Sequence, residues 1–89
     1  MAILLLHQGV YGQTRRICER LRTELAALGV ESDVASLADV ADPARYDAIV
    51  VGASIRNGKH APAVFEFARR HRALLDAKPN AFFSVNLVA

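Results

Sequence analysis

The stretch HQGVYGQT, residues 7–14, gathers residue types that could hold an anion. Gly9 and Gly12 let backbone N–H groups converge. Gln13 and Thr14 stand where a helix would open, adding its unsatisfied N–H groups and the positive end of its dipole. Thr14 supplies a hydroxyl donor in that first turn, and the whole makes a phosphate cradle. No lysine follows Gly12, so this is not the GxxxxGKS/T loop of nucleotide-hydrolysing proteins, and it is not GxGxxG either. Taken alone, the two glycines serve a strand-to-helix turn equally well.

Few other side chains carry a chemical reading. His7 has the right type for proton transfer near neutral pH, although a rim histidine explains it better. Arg56 could face an anionic group or simply solvent. His60 stands at the start of a predicted helix, where any polar residue serves, and His71 reads as structural. Cys18 falls beside Leu21 and Leu25 on a helical wheel, which predicts a buried, inert thiol. No Ser/His/Asp set and no carboxylate pair is visible, and the acids at 31–47, Glu66 and Asp76 are too dispersed for a metal site.

Composition sets the frame for these residues. The 89 residues are 53% hydrophobic and 22% charged, a globular balance far from the disordered regime. A chain this short buries only about 60–65% of the surface its unfolded form exposes. The net charge is +2 and the pI near 9.1. This bias is weak, and the bases are not interleaved with aromatics as in a nucleic-acid reader. One cysteine excludes an internal disulfide and any CxxC pattern and suits a reducing, cytoplasmic setting. MAILLLH has no basic leader region or cleavage site and is too short to span a membrane, so it reads as a strand.

The elements that must position the loop follow from periodicity. AILLL, residues 2–6, is the continuous apolar run of a strand buried on both faces. From Gln13 to Leu28, Ile17, Leu21, Leu25 and Leu28 recur at helical spacing, and Gly29 stops the helix. VESDVASL, residues 30–37, alternates like an edge strand. Asp42 before Pro43 predicts a capped helical turn. Ala48–Val51 is a third strand closed by Gly52. SIRNGKHAP, residues 54–62, is polar and turn-rich. Val64, Phe65, Ala68, His71, Leu74 and Leu75 predict one helix running to about Ala77. Pro79 breaks it, and Ala81–Val85 is a fourth strand. The order predicts a doubly wound parallel sheet with helices on both faces, which accepts ligands outside the carboxyl ends of its strands. Those ends fall at residues 7–14, 52–60 and 84–89.

The segments GQTRRI (12–17), VVGASIRNGKH (50–60) and AFFSVNLVA (81–89) resemble those of the flavodoxin-type, menaquinone-dependent protoporphyrinogen IX dehydrogenases. Members of that family show GQT, GASIR and SVNLVA in this order and spacing. The match runs from Met1 to Ala89 and covers about the first half of the family's domain. The family continues into a long inserted loop, a further helix, a fifth strand and a last helix. The resemblance implies a flavodoxin-like domain over residues 1–89, truncated after the fourth strand, with strand order 2-1-3-4.

The resemblance also implies FMN held at three loops. Gln8, Gly9, Val10, Tyr11, Gly12, Gln13 and Thr14 would surround its phosphate. Ala53, Ser54, Ile55 and Arg56 would flank one side of the flavin ring, and Ser84 and Asn86 would begin the loop on the other. Family members tend to carry Ser and Thr at the positions of Gln8 and Gly9, so two hydroxyl donors are absent. They often carry an aromatic in the loop that holds Asn57, which cannot stack on a flavin. Flavin N5 does the family's chemistry, so a catalytic side chain is not expected.

The implied function is oxidation of protoporphyrinogen IX to protoporphyrin IX in haem biosynthesis, with electrons passed to a quinone. The setting would be cytoplasmic, with peripheral contact at the inner membrane face. Two alternatives stay open: a truncated, non-catalytic flavodoxin-like remnant or fragment, and a small flavodoxin-like electron carrier, which the basic pI disfavours. Ending at Ala89 would leave an open sheet edge and an uncovered face, which predicts self-association.

Overall fold

The computed structural model describes residues 2–9, 12–39, 42–56, 59–60 and 62–86. Val10, Tyr11, Asn57, Leu87 and the other sequence readings that fall between these ranges lie outside the described residues. The elements are β1 (Ala2–Gln8), α1 (Gln13–Ala27), β2 (Glu31–Ser36), a 3-10 turn (Pro43–Arg45), β3 (Ala48–Arg56), β4 (Lys59–His60), α2 (Pro62–Arg70), α3 (Arg72–Ala77) and β5 (Asn80–Asn86).

The long strands form a parallel sheet. β1 lies between β2 and β3, and β5 pairs with the far side of β3, so the spatial order is β2-β1-β3-β5. This is the 2-1-3-4 order expected from the sequence. The short β4 turns back antiparallel on the end of β3, with Ile55 opposite His60 and Arg56 opposite Lys59.

Strand alternation divides the core between two faces. Leu4, Leu6, Ile49, Val51 and Ala53 meet Leu37, Val64 and Phe67 on the face covered by α2. Leu5 is fully buried on the opposite face, where α1 packs across β1, β2 and β3. The central strand is therefore apolar on both sides, which is why AILLL shows no alternation.

Four expectations need correction. The buried stripe of α1 is Thr14 and Cys18, with Leu21 and Leu25 half-buried, whereas Ile17 is 38% exposed and Leu28, at the C-cap, is exposed. Helical spacing admits either stripe, and the packing of α1 against β1 and β2 buries the one containing the small side chains. The single helix expected to Ala77 is two. α2 and α3 meet at His71, whose N–H donates to the Phe67 carbonyl while its own carbonyl accepts from Leu75 N–H. Within α2 the buried aromatic is Phe67 rather than Phe65, which is 64% exposed. Finally, β3 extends to Arg56, through part of the stretch that reads as polar loop.

The Asp42 cap is present as expected: its Oδ1 accepts from Ala44 N–H at 3.1 Å, with Pro43 opening the turn. Lys78 Nζ then ties this turn to the approach of β5, donating to the carbonyls of Ala44 and Tyr46.

Candidate functional site

The site sits at the carboxyl ends of β1 and β3. Gly12 opens α1 in the left-handed region, φ +77°, a conformation that favours glycine. No side chain caps this helix end, so the first-turn N–H groups stay available to something outside the helix. Gln13 is exposed beside them, and Thr14, the next residue, is fully buried.

Thr14 does something the sequence does not announce. Its Oγ1 donates to the Gln8 carbonyl at 3.1 Å, closing the loop from the first turn of α1 back onto the end of β1. One turn later the Cys18 thiol approaches the Leu6 carbonyl at 3.7 Å. The same helix face therefore touches β1 at alternate carbonyls.

Gly9 lies between these elements. A Cβ added there would stand 2.5 Å from Thr14 Oγ1 and 2.7 Å from Ser54 Oγ, closer than real Cβ atoms come. Two hydroxyls from different elements thus converge on the place a side chain at position 9 would fill. The glycine is dictated by that crowding, and not only by the turn. Ser54 is 7% exposed, and its hydroxyl makes no hydrogen bond among the described residues. Gln8 Oε1 is also buried, without a partner among the described residues.

The remaining sequence candidates are distributed as follows. Ala53 is fully buried beneath the site, in register with Gln8 on one side and Ser84 on the other. Ile55 and Arg56 end β3, with Ile55 in register with Asn86 of β5. Ser84 is exposed two residues before the end of β5. The three stretches thus share one edge of the sheet.

His7 is half-buried near the end of β1. Burial and the nearby Arg15 guanidinium lower its pKa from 6.5, against the opposing pull of Glu19 and Asp39. Burial raises the Cys18 thiol to about 11, with Glu19 adding to the shift. This is the opposite of a nucleophile's environment. Among the described residues no group of His, Cys, Asp and Glu could hold a metal ion.

One feature of this edge escapes sequence reasoning. Phe83 lies flat on Gly52, so that a Cβ at position 52 would fall 2.1–2.6 Å from its ring carbons. The two residues are partners in the parallel register of β3 and β5, a pairing that no local pattern encodes.

A parallel sheet with helices on both faces, and an uncapped helix N-terminus beside converging hydroxyls at its carboxyl edge, makes an α/β domain whose edge could hold an anion. The family model described as a flavodoxin domain matches residues 4–89, and the chain belongs to that family. The protoporphyrinogen IX dehydrogenase (quinone) of Escherichia coli is 44% identical over 91 residues, covering 100% of this chain and 50% of that protein. Its namesake in Leishmania major is 36% identical over 92 residues, covering 97% and 38% respectively. The chain thus spans half or less of the length of these curated relatives.

Solved structures agree on the fold. A flavodoxin from the domain Archaea superposes with a TM-score of 0.86 at 22% identity, covering 100% of this chain and 65% of the other. A cysteine variant of flavodoxin from Pseudomonas aeruginosa gives 0.74 at 20% identity, covering 97% and 61%. Family and fold together imply a flavin cofactor.

Proposed function

We propose that this chain binds FMN at the β1–α1 edge and forms part of an FMN-dependent oxidoreductase. The reaction would be that of the curated relatives: oxidation of protoporphyrinogen IX to protoporphyrin IX in haem biosynthesis, with the electrons passed to a quinone. The observation that carries the reading is the convergence of Thr14 Oγ1 and Ser54 Oγ on the Cβ position of Gly9, beside the uncapped N-terminus of α1.

The residues present fit the phosphate end of such a cofactor. The first-turn backbone N–H groups of α1 have no side-chain cap, and the Ser54 hydroxyl has no hydrogen bond among the described residues, so a dianion could draw on both. Gly9 leaves the approach open. Together with Gln8, Gly12 and Gln13 these residues would hold the phosphate. Ala53, Ile55, Arg56, Ser84 and Asn86 would border the ring. When bound, FMN supplies the electron acceptor and relay. The chain's own residues bind and orient it, and none of those described is set up to move a proton in the reaction.

Titration of the purified chain with FMN, followed by flavin fluorescence, tests this. Quenching in the micromolar range, with weaker binding of riboflavin, is the expected result. No quenching at tens of micromolar would leave the non-catalytic fragment as the reading. Replacing Ser54 by Ala should weaken FMN about three- to tenfold and leave riboflavin unchanged, since one phosphate hydrogen bond is lost.

Two further properties belong to the same reading. In the same reading, contact with a membrane-borne quinone would be peripheral, from the cytoplasmic side; among the described residues no helix is long and apolar enough to cross a membrane. Phe65 and Phe82, 64% and 50% exposed, border a cleft of about 350 Å³ lined by Val51, Val64, Ala68 and Leu75. An apolar surface of this kind favours self-association of the 89-residue chain. A sedimentation coefficient that rises with concentration is the expected signature, and a stable monomer at micromolar concentration would overturn it.

A further inference from the structure

We propose that the cavity between α2 and the turn that follows β2 is a second binding site, which takes a planar aromatic monocarboxylate. The cavity has a volume of about 480 Å³. Its floor is apolar: Leu37 and Phe67 are each 7% exposed, and Pro43 is buried. Two flat groups stand at one wall, where the Phe67 ring and the His71 imidazole lie 4.7 Å apart at a tilt of 46°. Such a floor favours a ring over a sugar or a phosphate chain.

The rim favours a single negative charge. Arg69 pairs with Glu66 at 3.5 Å, and Arg72 with Asp76 at 3.9 Å. Lys78 is committed to the Ala44 and Tyr46 carbonyls. The Arg70 guanidinium, by contrast, makes no ion pair or hydrogen bond among the described residues, and Arg70 lines the cavity next to His71. A guanidinium presents a two-pronged donor to a carboxylate, and an imidazole in either tautomer adds one N–H. Glu66 lines the same cavity and opposes a more highly charged ligand.

Both walls are held without a ligand. Asp42 caps the 3-10 turn that carries Pro43, and Lys78 ties that turn to the approach of β5. Across the cavity, the His71 N–H donates to the Phe67 carbonyl where α2 gives way to α3, which keeps the two rings together. None of the residues assigned to the cofactor lines this cavity, so the proposal stands apart from the flavin reading.

Naphthoate, titrated into the chain and followed by amide chemical shifts, tests the site. The expected dissociation constant is about 0.1–1 mM, ordinary for a ligand of this size, with shifts centred on Leu37, Ala38, Phe67 and His71. Neutral naphthalenemethanol should bind about three- to tenfold more weakly, and Arg70→Gln should weaken naphthoate by the same factor while leaving the alcohol unchanged. Ala63→Phe, at an exposed position of the lining, should fill the cavity and abolish both.

Equal affinity for acid and alcohol, or a naphthoate affinity untouched by Arg70→Gln, overturns the proposal and leaves Arg70 as a complement to the carbonyl end of α2. Shifts centred on Phe65 and Phe82 overturn it too, by placing the ring in the apolar cleft beside β5. So does the absence of any shift at millimolar naphthoate.

Discussion

The Phe83 ring lies across Gly52, its partner in the β3–β5 register, and occupies the space a Cβ at position 52 would need. The contact joins the last strand to the middle of the sheet on the face that α1 covers only as far as β3. Gly52 is thus a packing glycine, and the site edge above it depends on how well β5 is seated.

Gly52→Ala should destabilise the chain by about 1–3 kcal/mol, because the added methyl overlaps the ring and a packed sheet has little room to yield. Phe83→Leu frees the space, and in its presence Gly52→Ala should cost less. A double-mutant cycle in urea reads the coupling directly. Strictly additive effects would show that the ring moves aside freely.

Position 9 gives the second prediction. Family resemblance makes Gly9→Ser look like restoration of a missing phosphate donor. The structure argues the reverse, since the new Cβ would meet Thr14 Oγ1 and Ser54 Oγ well inside contact distance. Gly9→Ser should therefore lower both FMN affinity and ligand-free stability. Tighter FMN binding by this variant would contradict the crowding.

The contrast at position 9 marks the limit of what the sequence reveals. The apolar central strand, the Asp42 cap and the loop edge are legible because each is encoded by period or by neighbouring residues, and the strand order because the motifs resemble a known family. What β3 and β5 do to each other is not, since the Gly52–Phe83 register depends on how α2 and α3 return the chain to the sheet. The stripe of α1 is ambiguous for a related reason: Ile17 and Cys18 stand about 100° apart at the two edges of one apolar arc, and only packing against the sheet decides which edge is buried. The Thr14 contact is hidden for a third reason: no local pattern shows that the Gln8 carbonyl lies within reach of its hydroxyl.

His7 should leave a signature in the pH dependence of stability. Burial, with Arg15, lowers its folded-state pKa below the unfolded value of 6.5. Between the two values the unfolded chain binds more protons, so stability rises with pH. This contribution is fully present above 6.5 and is lost as pH falls through the lower folded value. His7→Gln removes the group, and the decline of the urea midpoint from pH 7 to pH 5 should become shallower. An unchanged slope would place the proton uptake elsewhere.

Cys18 supplies a probe of the helix–strand joint. Its side chain has no exposed surface and its thiol is raised to about 11, so at pH 8 the thiolate fraction is about one in a thousand. A thiol reagent should react rapidly with the urea-unfolded chain and slowly with the native one, at a rate set by opening of α1 from the sheet. Thr14 and Cys18 reach alternate carbonyls of β1 from one helix face, so loss of the first contact should make the second easier to open. Thr14→Val should then label several times faster than wild type, while Thr14→Ser labels at the wild-type rate. Equal rates for the Val and Ser variants would mean that the two contacts open independently.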